Sequence, residues 1–186
     1  MPPVQREDLV DYVTYERRVR DEILGTVLKE KAKRRIHVGE YLTFLFENDL
    51  TIRYQVQEMM RVEQIVAEED IRHELKTYNE LLGDAGGLGC TLLIEIDDPE
   101  RRDTLLRDWL DLPSHLYAVT ASGDRVRPVF DERQVGTDRV SSVQYLKFPM
   151  EGRCPTGLGC DHPKYTALQA LSPEQAAALL QDLQPA

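Results

Sequence analysis

The sequence is short of cysteine and of long apolar runs. Its three cysteines, Cys90, Cys154 and Cys160, are too few and odd in number for the disulfide framework of a small secreted protein. No stretch approaches the roughly 18 consecutive apolar residues of a membrane span. The N-terminal segment also lacks the cationic start and apolar core of a secretory signal. We therefore expect a cytoplasmic protein that does not enter a membrane.

Positive charge is also scarce. The chain has 23 Lys and Arg against 33 Asp and Glu, a net charge of −10 at pH 7. Neutralising nucleic-acid phosphates or anionic lipids needs surplus cations, so no nucleic-acid partner is predicted. One basic run opposes this trend, and it consists of Lys29, Lys31, Lys33, Arg34 and Arg35. We expect these side chains to face water at a helix end, where cations complement the macrodipole; a patch for phosphate or an acidic partner is the alternative.

Common catalytic motifs are missing as well. The sequence has no Gly-x-Gly-x-x-Gly after a strand, no Walker loop and no Gly-x-Ser-x-Gly elbow. Ser141 and Ser142 precede apolar strand residues without a nearby His, so a serine nucleophile has no support there. The sequence leaves open whether the chain is an enzyme.

The composition predicts one folded domain. Hydrophobic residues make up 41% and charged residues 30% of the chain, as in ordinary globular proteins, and 186 residues correspond to one domain. Within it we expect a helical part at 1–34, a mixed sheet-and-helix core at 35–150, and a loop followed by a C-terminal helix at 151–186.

The chain is organised around residues 41–79. Their opening segment is apolar on both faces, which predicts a central strand covered on each side. Asn48 or Asp49 can cap a helix after this strand, and apolar residues then keep helical spacing as far as Leu82. We predict one long helix with a kink near 68–70.

Turn and cap residues place the other elements. Gly39 and Gly123 supply the turns of two hairpins, and Asp98-Pro99 and Ser172-Pro173 begin helices. The Gly- and Pro-rich segment Gly152–Thr166 is expected to be irregular. Further strands are predicted at 35–38, 91–96, 116–121, 125–130 and 140–150. Because helices and strands do not alternate strictly, we predict an α+β fold with a mainly antiparallel sheet packed with the long helix and several shorter helices.

One candidate metal site lies on the predicted long helix. Glu69 and His73 are four residues apart and share a helix face, with Glu58 and Glu74 as further carboxylates. Imidazole combined with carboxylates suits iron, manganese or zinc. The Glu-x-x-His motif that recurs on two helices of di-iron bundles is missing. The alternative is a solvent-facing pair, which a Glu-rich helix offers by chance.

A second candidate is a polar pocket on the same helix. It would be lined by Gln57, Glu58, Arg61 and Tyr78, with the Arg61 guanidinium binding a small anionic ligand as a fork. Glu58 and Arg61 are three residues apart, so a structural Arg–carboxylate pair is the alternative that the spacing favours.

A third candidate is the segment Cys154–Pro163. Cys154, Cys160 and His162 supply three soft or borderline ligands in a Gly- and Pro-rich segment, a combination that suits iron or zinc. The spacing is not that of a zinc finger, and three thiols are too few for ordinary iron–sulfur ligation. Cys90 opens an apolar strand and is expected in the core. Without a metal, these cysteines are reduced thiols.

Several sequence blocks resemble a known family. They are LTFLFEN at Leu42–Asn48, YQVQEM at Tyr54–Met59, HELKTYN at His73–Asn79, SSVQYLKF at Ser141–Phe148 and the tail from Cys160 to Leu183. In these blocks the chain is similar to a bacterial domain-of-unknown-function family whose members are cytoplasmic and of about this size. It departs from the family pattern at Gly83–Gly89, where relatives carry a Pro-containing turn.

The resemblance implies a setting and no mechanism. Family members are often encoded beside rubrerythrin-like and iron–sulfur oxidoreductase proteins, which implies a role in iron or oxidative-stress metabolism. No catalytic residues carry over from it. Three functions therefore stand side by side: a metal-linked accessory protein serving such a partner, an interaction module that docks an oxidoreductase without metal, and an enzyme acting on a small anionic substrate.

Overall fold

The computed structural model describes residues 1–184. The helices are α1 (Tyr12–Thr14), α2 (Arg20–Arg34), α3 (Asp49–Val62), α4 (Glu68–Asn79), α5 (Pro99–Asp108), α6 (Leu112–His115) and α7 (Pro173–Leu183). The strands are β1 (Arg35–Val38), β2 (Leu42–Phe46), β3 (Leu88–Ile94), β4 (Leu116–Thr120), β5 (Arg125–Val126), β6 (Val143–Phe148), β7 (Pro155–His162) and β8 (Tyr165–Ala170). A π-helical turn at Tyr15–Val19 joins α1 to α2. None of the helices within this range combines the length and apolar character needed to traverse a bilayer.

The strands form two four-stranded sheets, and every strand pair is antiparallel. The first sheet has the order β1-β2-β3-β6 and the second the order β5-β4-β7-β8. One apolar core contains residues of both sheets, including Phe44, Leu92 and Leu158, and Leu179 of α7. A second core joins α3 and α4 to the N-terminal segment. The α+β prediction is confirmed, with two antiparallel sheets instead of one.

The start of α3 follows the sequence prediction. β2 is the second strand of its sheet, between β1 and β3, as its two apolar faces indicated. The Asn48 side chain accepts the backbone N–H of Thr51 at 2.9 Å, and the Thr51 hydroxyl accepts the Asn48 N–H in return. This reciprocal capping satisfies two otherwise unpaired donors at the helix start.

The predicted long helix is in fact two helices. α3 ends at Val62, and α4 begins at Glu68 after a short connection. Gln64 in that connection has a φ of 53°, in the left-handed region that a right-handed helix cannot contain. The backbone N–H of Ile65 then bonds to the Met60 carbonyl at 2.9 Å and closes the turn. Sequence spacing missed this break because apolar residues continue through it.

The segment predicted to be irregular forms all of β7 and the start of β8. Two of its glycines serve close packing within the sheet. A Cβ atom on Gly159 would overlap the Tyr117 ring of β4, and one on Gly157 would lie 3.0 Å from the Gln169 carbonyl of β8. Glycine in a strand often marks such a close approach, so the composition of this segment was misread as loop composition.

Arg34 is the exception within the basic run, because it is buried instead of facing water. Its Nε and Nη2 donate to the two Asp182 carboxylate oxygens, each at 2.8 Å, and its Nη1 donates to Glu30 Oε2 at 2.6 Å. The side chains of Arg34 and Asp182 are 3% and 5% exposed. A bidentate pair of this kind fixes orientation as well as distance, so it sets how α2 and α7 lie against each other.

Candidate functional site

Glu58 is the centre of a polar network on α3. Its carboxylate accepts hydrogen bonds from Tyr15 Oη at 2.9 Å, Arg20 Nε at 2.8 Å and Arg61 Nη2 at 3.0 Å. Burial opposes ionisation of Glu58, but these three donors outweigh it and lower the pKa of the carboxyl. Arg61 also lies 3.7 Å from Glu16. The structural pairing of Glu58 with Arg61 is therefore present, and it ties α3 to the start of α2.

Gln57 and Asn79 hold the N-terminal segment. The Gln57 side-chain amide accepts the Val10 N–H at 2.9 Å and donates to the Val10 carbonyl at 3.0 Å. Asn79 makes the same pair of bonds with Val4, both at 2.9 Å. Each side-chain amide thus makes the two hydrogen bonds that a paired residue of a neighbouring strand makes in an antiparallel β-ladder. The Gln57 amide is therefore occupied by the chain itself, and the residue also lines a small cavity of about 110 Å³ together with Tyr15 and Arg53.

The Glu69 and His73 side chains are exposed on the surface of α4. His73 lines a shallow groove with Glu63, Asp70 and Glu74. Among residues 1–184, no group of three or more His, Cys, Asp or Glu side chains is placed to hold a metal ion. The structure gives this metal hypothesis no support.

The proposed ligands Cys154, Cys160 and His162 do not converge. Cys154 precedes β7 and His162 ends it, about 26 Å away at roughly 3.3 Å per residue. The Cys154 thiol donates to the Ala176 carbonyl of α7 at 3.3 Å. Burial raises the pKa of the Cys160 thiol to about 11, which disfavours the thiolate that a metal requires. As in the groove on α4, the geometry does not support a metal site.

His162 instead belongs to a cluster at the end of the second sheet. Its Nδ1 accepts the Lys164 N–H at 3.1 Å, so its Nε2 carries the proton and donates to Asp111 at 3.0 Å. Asp111 also accepts from His115 Nε2 at 3.0 Å. Burial opposes ionisation of Asp111, but the two imidazoles outweigh it and lower the pKa of the carboxyl. These contacts join α6 to β7.

Asp161 completes this cluster on the exposed side. Hydrogen bonds from Arg127 are the main cause of its pKa falling to about 2. Arg125 adds a bond of 2.8 Å to the same carboxylate, and both guanidinium groups lie over the Tyr117 ring. All these groups are engaged with one another, so the cluster has the character of a structural network.

A cleft of about 700 Å³ lies between α4, β6 and the segment 129–134. We call it the α4–β6 cleft. Its aromatic side chains are Tyr78, Phe130 and Tyr145, and Cys90 also lines it. The complete lining is Thr77, Tyr78, Glu80, Leu81, Cys90, Val129, Phe130, Asp131, Gln134, Tyr145, Leu146 and Lys147. Of the residues predicted for a pocket, only Tyr78 lies here.

Two local features build the cleft. A Cβ atom on Gly89 would collide with the Leu81 carbonyl, so glycine at this position lets the turn that follows α4 lie directly on β3. On the other side, the Gln134 side-chain amide accepts the Tyr145 N–H at 2.7 Å and donates to the Tyr145 carbonyl at 3.3 Å. The segment 129–134 is thereby fixed along β6 as the outer wall.

The electrostatics of the cleft are mildly negative. Burial, then the charge of Glu74, raises the pKa of the Tyr78 hydroxyl, which therefore stays protonated at neutral pH. Lys147 is paired with Asp84 at 3.2 Å, and Asp131 accepts a hydrogen bond from Arg133 Nε at 2.8 Å. Glu80 adds a further carboxylate to the lining. Burial also raises the pKa of Cys90 well above its usual value, so this residue is a neutral thiol and not a nucleophile.

Comparison with known proteins identifies the family. A family model described as "Protein of unknown function (DUF3501)" matches residues 3–183. The chain belongs to the DUF3501 family. This confirms the family resemblance at the level of a domain of unknown function, while the individual sequence blocks and the encoded neighbours stay predictions.

A solved structure shares the DUF3501 fold of this chain. It is a crystal structure of a "novel protein of unknown function" from Burkholderia pseudomallei K96243, with a TM-score of 0.87 and 28% sequence identity. The similarity covers 98% of this chain and 100% of that one. The comparison with curated proteins finds no match. A role for this DUF3501 chain must therefore be argued from its own residues.

Most residues of the cleft could not be found from sequence. Val129 and Phe130 lie in the second strand of a predicted hairpin, Gln134 follows that hairpin without a motif, and Tyr145 and Lys147 lie within the strand predicted at 140–150. One usable signal was the alternation in β6, which places Val143, Tyr145 and Lys147 on one face. It did not show what covers that face.

Proposed function

We propose that the protein binds a small, mainly apolar organic molecule in the α4–β6 cleft. The observation that carries this proposal is a cleft of about 700 Å³ with three aromatic side chains in its lining. Ligand sites typically measure about 300–1,000 Å³ and combine apolar walls with a few polar groups. The Tyr78 hydroxyl and the Glu80 carboxylate are polar groups of this lining, whereas the Asp131 carboxylate is engaged by Arg133.

The cleft favours a neutral or cationic ligand over an anion. Its one lysine is already paired with Asp84, and Arg61, the cation expected to hold an anionic ligand, is engaged by Glu58 outside the cleft. The aromatic faces together with the Glu80 carboxylate attract organic cations. The small anionic substrate considered from sequence therefore lacks its counter-charge in this site.

The lining supports binding better than catalysis. Acid–base or nucleophilic chemistry needs an activated group beside a base. Cys90 is held as a neutral thiol, and the Tyr78 hydroxyl has a raised pKa. Neither group is activated, so the proposal is a ligand-binding protein.

A matched pair of fluorescent probes tests the proposal. N-phenyl-1-naphthylamine is neutral, and its sulfonated analogue 1-anilinonaphthalene-8-sulfonate is an anion of similar shape. We expect the neutral probe to bind with one site per chain and the anion to bind about fivefold more weakly, since one surface charge contributes about 1 kcal/mol. Glu80→Gln should reduce the difference in affinity between the two probes without changing the affinity for the neutral probe.

A matched substitution locates the bound probe. Val129 is 64% exposed in the cleft wall, and Val66 is 75% exposed outside it. Val129→Glu should weaken binding of the neutral probe at least tenfold, whereas Val66→Glu should leave it unchanged. Equal effects of the two substitutions, or no binding to the native protein, would refute the proposal.

The partner inferred from the family is a separate proposal. Docking to an iron–sulfur oxidoreductase or rubrerythrin-like protein is supported by the family resemblance alone. The finer proposal of a role in iron or oxidative-stress metabolism has the same support. Co-purification of such a protein with the tagged chain from its native cells, but not with an unrelated tagged protein, would support both proposals. Its absence from the purified fraction would count against them.

A further inference from the structure

The three aromatic side chains of the α4–β6 cleft come from three separate parts of the chain. Tyr78 belongs to α4, Phe130 to the wall segment and Tyr145 to β6. Tyr145 is 47% exposed, and the other two are half-buried. Elsewhere aromatic rings pack on one another, as Trp109 and Tyr165 do at 4.9 Å between centroids. In the described part of the chain no such ring pair involves the cleft aromatics, so aromatic neighbours leave their faces free.

Cations of the chain itself cover other tyrosine rings. Lys31 Nζ lies 5.0 Å from the ring centroid of Tyr54, and two guanidinium groups lie over Tyr117. The negative face of an aromatic ring attracts a cation in this position. Among residues 1–184, no Lys or Arg lies over the three cleft rings, and the one lysine of the lining, Lys147, is held by Asp84. These rings are therefore open to a cation from outside the chain.

The charge around the cleft also favours a cation. Glu80 lies in the lining, and within the described residues it is in no ion pair. Glu74 lies close enough for its charge to raise the pKa of Tyr78. The whole chain carries a charge of −10, and a field of this sign raises the local concentration of cations.

The hydrogen-bond acceptors of the lining suit a cation without N–H groups. Gln134 Oε1 already accepts the Tyr145 N–H at 2.7 Å, and Asp131 accepts from Arg133. A primary ammonium carries three N–H donors, and each needs an acceptor when it leaves water. A quaternary ammonium has no such donor, and its methyl groups can pack against ring faces and against Val129.

We propose that the ligand of the α4–β6 cleft carries a quaternary ammonium group, bound by the faces of Tyr78, Phe130 and Tyr145 with its charge near Glu80. This inference rests on the proposed ligand-binding function and names the chemical class of the ligand. The occupant is a free small molecule, because a cleft of about 700 Å³ can enclose most of one.

Three small compounds test the charge and the methyl groups separately. Choline carries the trimethylammonium group, 3,3-dimethylbutanol is its neutral isostere, and ethanolamine keeps the charge without the methyl groups. In NMR titrations of the full-length chain, we expect choline to bind about tenfold more tightly than either of the others, since several ring faces and a carboxylate act on one desolvated cation. Equal binding of choline and its isostere would overturn the proposal.

A double substitution locates the bound cation. Phe130→Leu combined with Tyr145→Leu keeps apolar side chains in the cleft and removes two ring faces. It should lower the affinity for choline about tenfold and leave the affinity for the neutral isostere unchanged. Tyr54→Leu is the matched control, because that ring lies outside the cleft lining, and it should leave choline binding unchanged. An equal loss for both compounds in the double variant, or an equal loss of choline binding in the control, would contradict the proposal.

Two further comparisons separate the possible sources of the group and the two proposals for the cleft. Phosphatidylcholine vesicles and a trimethyl-lysine peptide carry the same cation, and tighter binding of either than of free choline would overturn the assignment to a small molecule. If N-phenyl-1-naphthylamine binds in the cleft and choline does not, this inference fails while the proposed function stands. If neither compound binds, both fail.

Discussion

Glu58 shows how one carboxylate organises its surroundings. Its side chain is 19% exposed and accepts bonds from a phenol and two guanidinium groups that belong to separate parts of the chain. The net effect of burial and these donors is a pKa below the ordinary value of 4.5. A depressed pKa means that the folded state binds the ionised form more strongly than the unfolded state does.

Replacing Glu58 with Gln should destabilise the protein in a pH-dependent way. The stabilisation from the ionised Glu58 carboxylate is fully present above its pKa in the unfolded chain, about 4.5. It is lost as the pH falls through the lower pKa that Glu58 has in the folded state. We expect a loss of about 1.5–3 kcal/mol in the free energy of unfolding at pH 7, as for hydrogen bonds to a charged group. Urea unfolding at pH 7 and pH 3.5 should show a smaller difference at the lower pH.

Glu69 is the matched control for this substitution, because its side chain is exposed on α4. Glu69→Gln should change the free energy of unfolding by less than about 0.5 kcal/mol at either pH. An effect of Glu58→Gln that is equally large at both pH values would contradict the assigned role of the ionised carboxylate.

At the scale of whole elements, two glycines have opposite effects on the stability of the elements that contain them. Gly25 lies within α2, and a Cβ atom added there would meet nothing within 4 Å. Gly89 lies in β3 directly beneath the Leu81 carbonyl of the turn that follows α4, where no Cβ atom fits. The first glycine only weakens its helix, whereas the second permits the contact between this turn and the strand that shapes the cleft.

Alanine at these two positions should therefore shift stability in opposite directions. Gly25→Ala should raise the free energy of unfolding by about 0.5–1 kcal/mol, because alanine loses less conformational freedom in a helix. Gly89→Ala should lower it by about 1–3 kcal/mol, since an overpacked contact must be relieved by backbone movement. Chemical denaturation of both variants provides the measurement, and a shift of the same sign in both would disprove this reading of the turn–strand contact.

At the scale of the molecule, the second sheet separates the residues that sequence had grouped as metal ligands. Because Cys154–His162 is extended, Cys154 contacts α7 at one end of β7 and His162 contacts Asp111 at the other. Cys160 lies between them within the apolar core.

Equimolar zinc should therefore leave the thermal unfolding midpoint unchanged. A ligand that binds the native state stabilises it by RT ln(1 + [L]/Kd), and three ligands spread along an extended strand cannot share one ion. Scanning calorimetry with and without zinc tests this expectation. A rise in the midpoint that Cys154→Ser abolishes would restore the metal hypothesis.

The sequence by itself determined the local elements of this protein. Turn glycines, capping residues such as Asn48, Asp98 and Ser172, and the spacing of apolar residues predicted the hairpins and most helix starts, because these signals act over a few residues. The α+β class followed from their order. The buried position of Cys90 was also predicted, from the apolar strand around it.

Only the tertiary structure decided what those elements build. The α4–β6 cleft combines residues near positions 80, 130 and 145, and the Arg34–Asp182 pair joins residues 148 positions apart. Local spacing contains no information about partners so distant in sequence. It also could not show that Gly157 and Gly159 make room for neighbouring strands, since a glycine that allows close packing and a glycine in a loop are identical in the sequence.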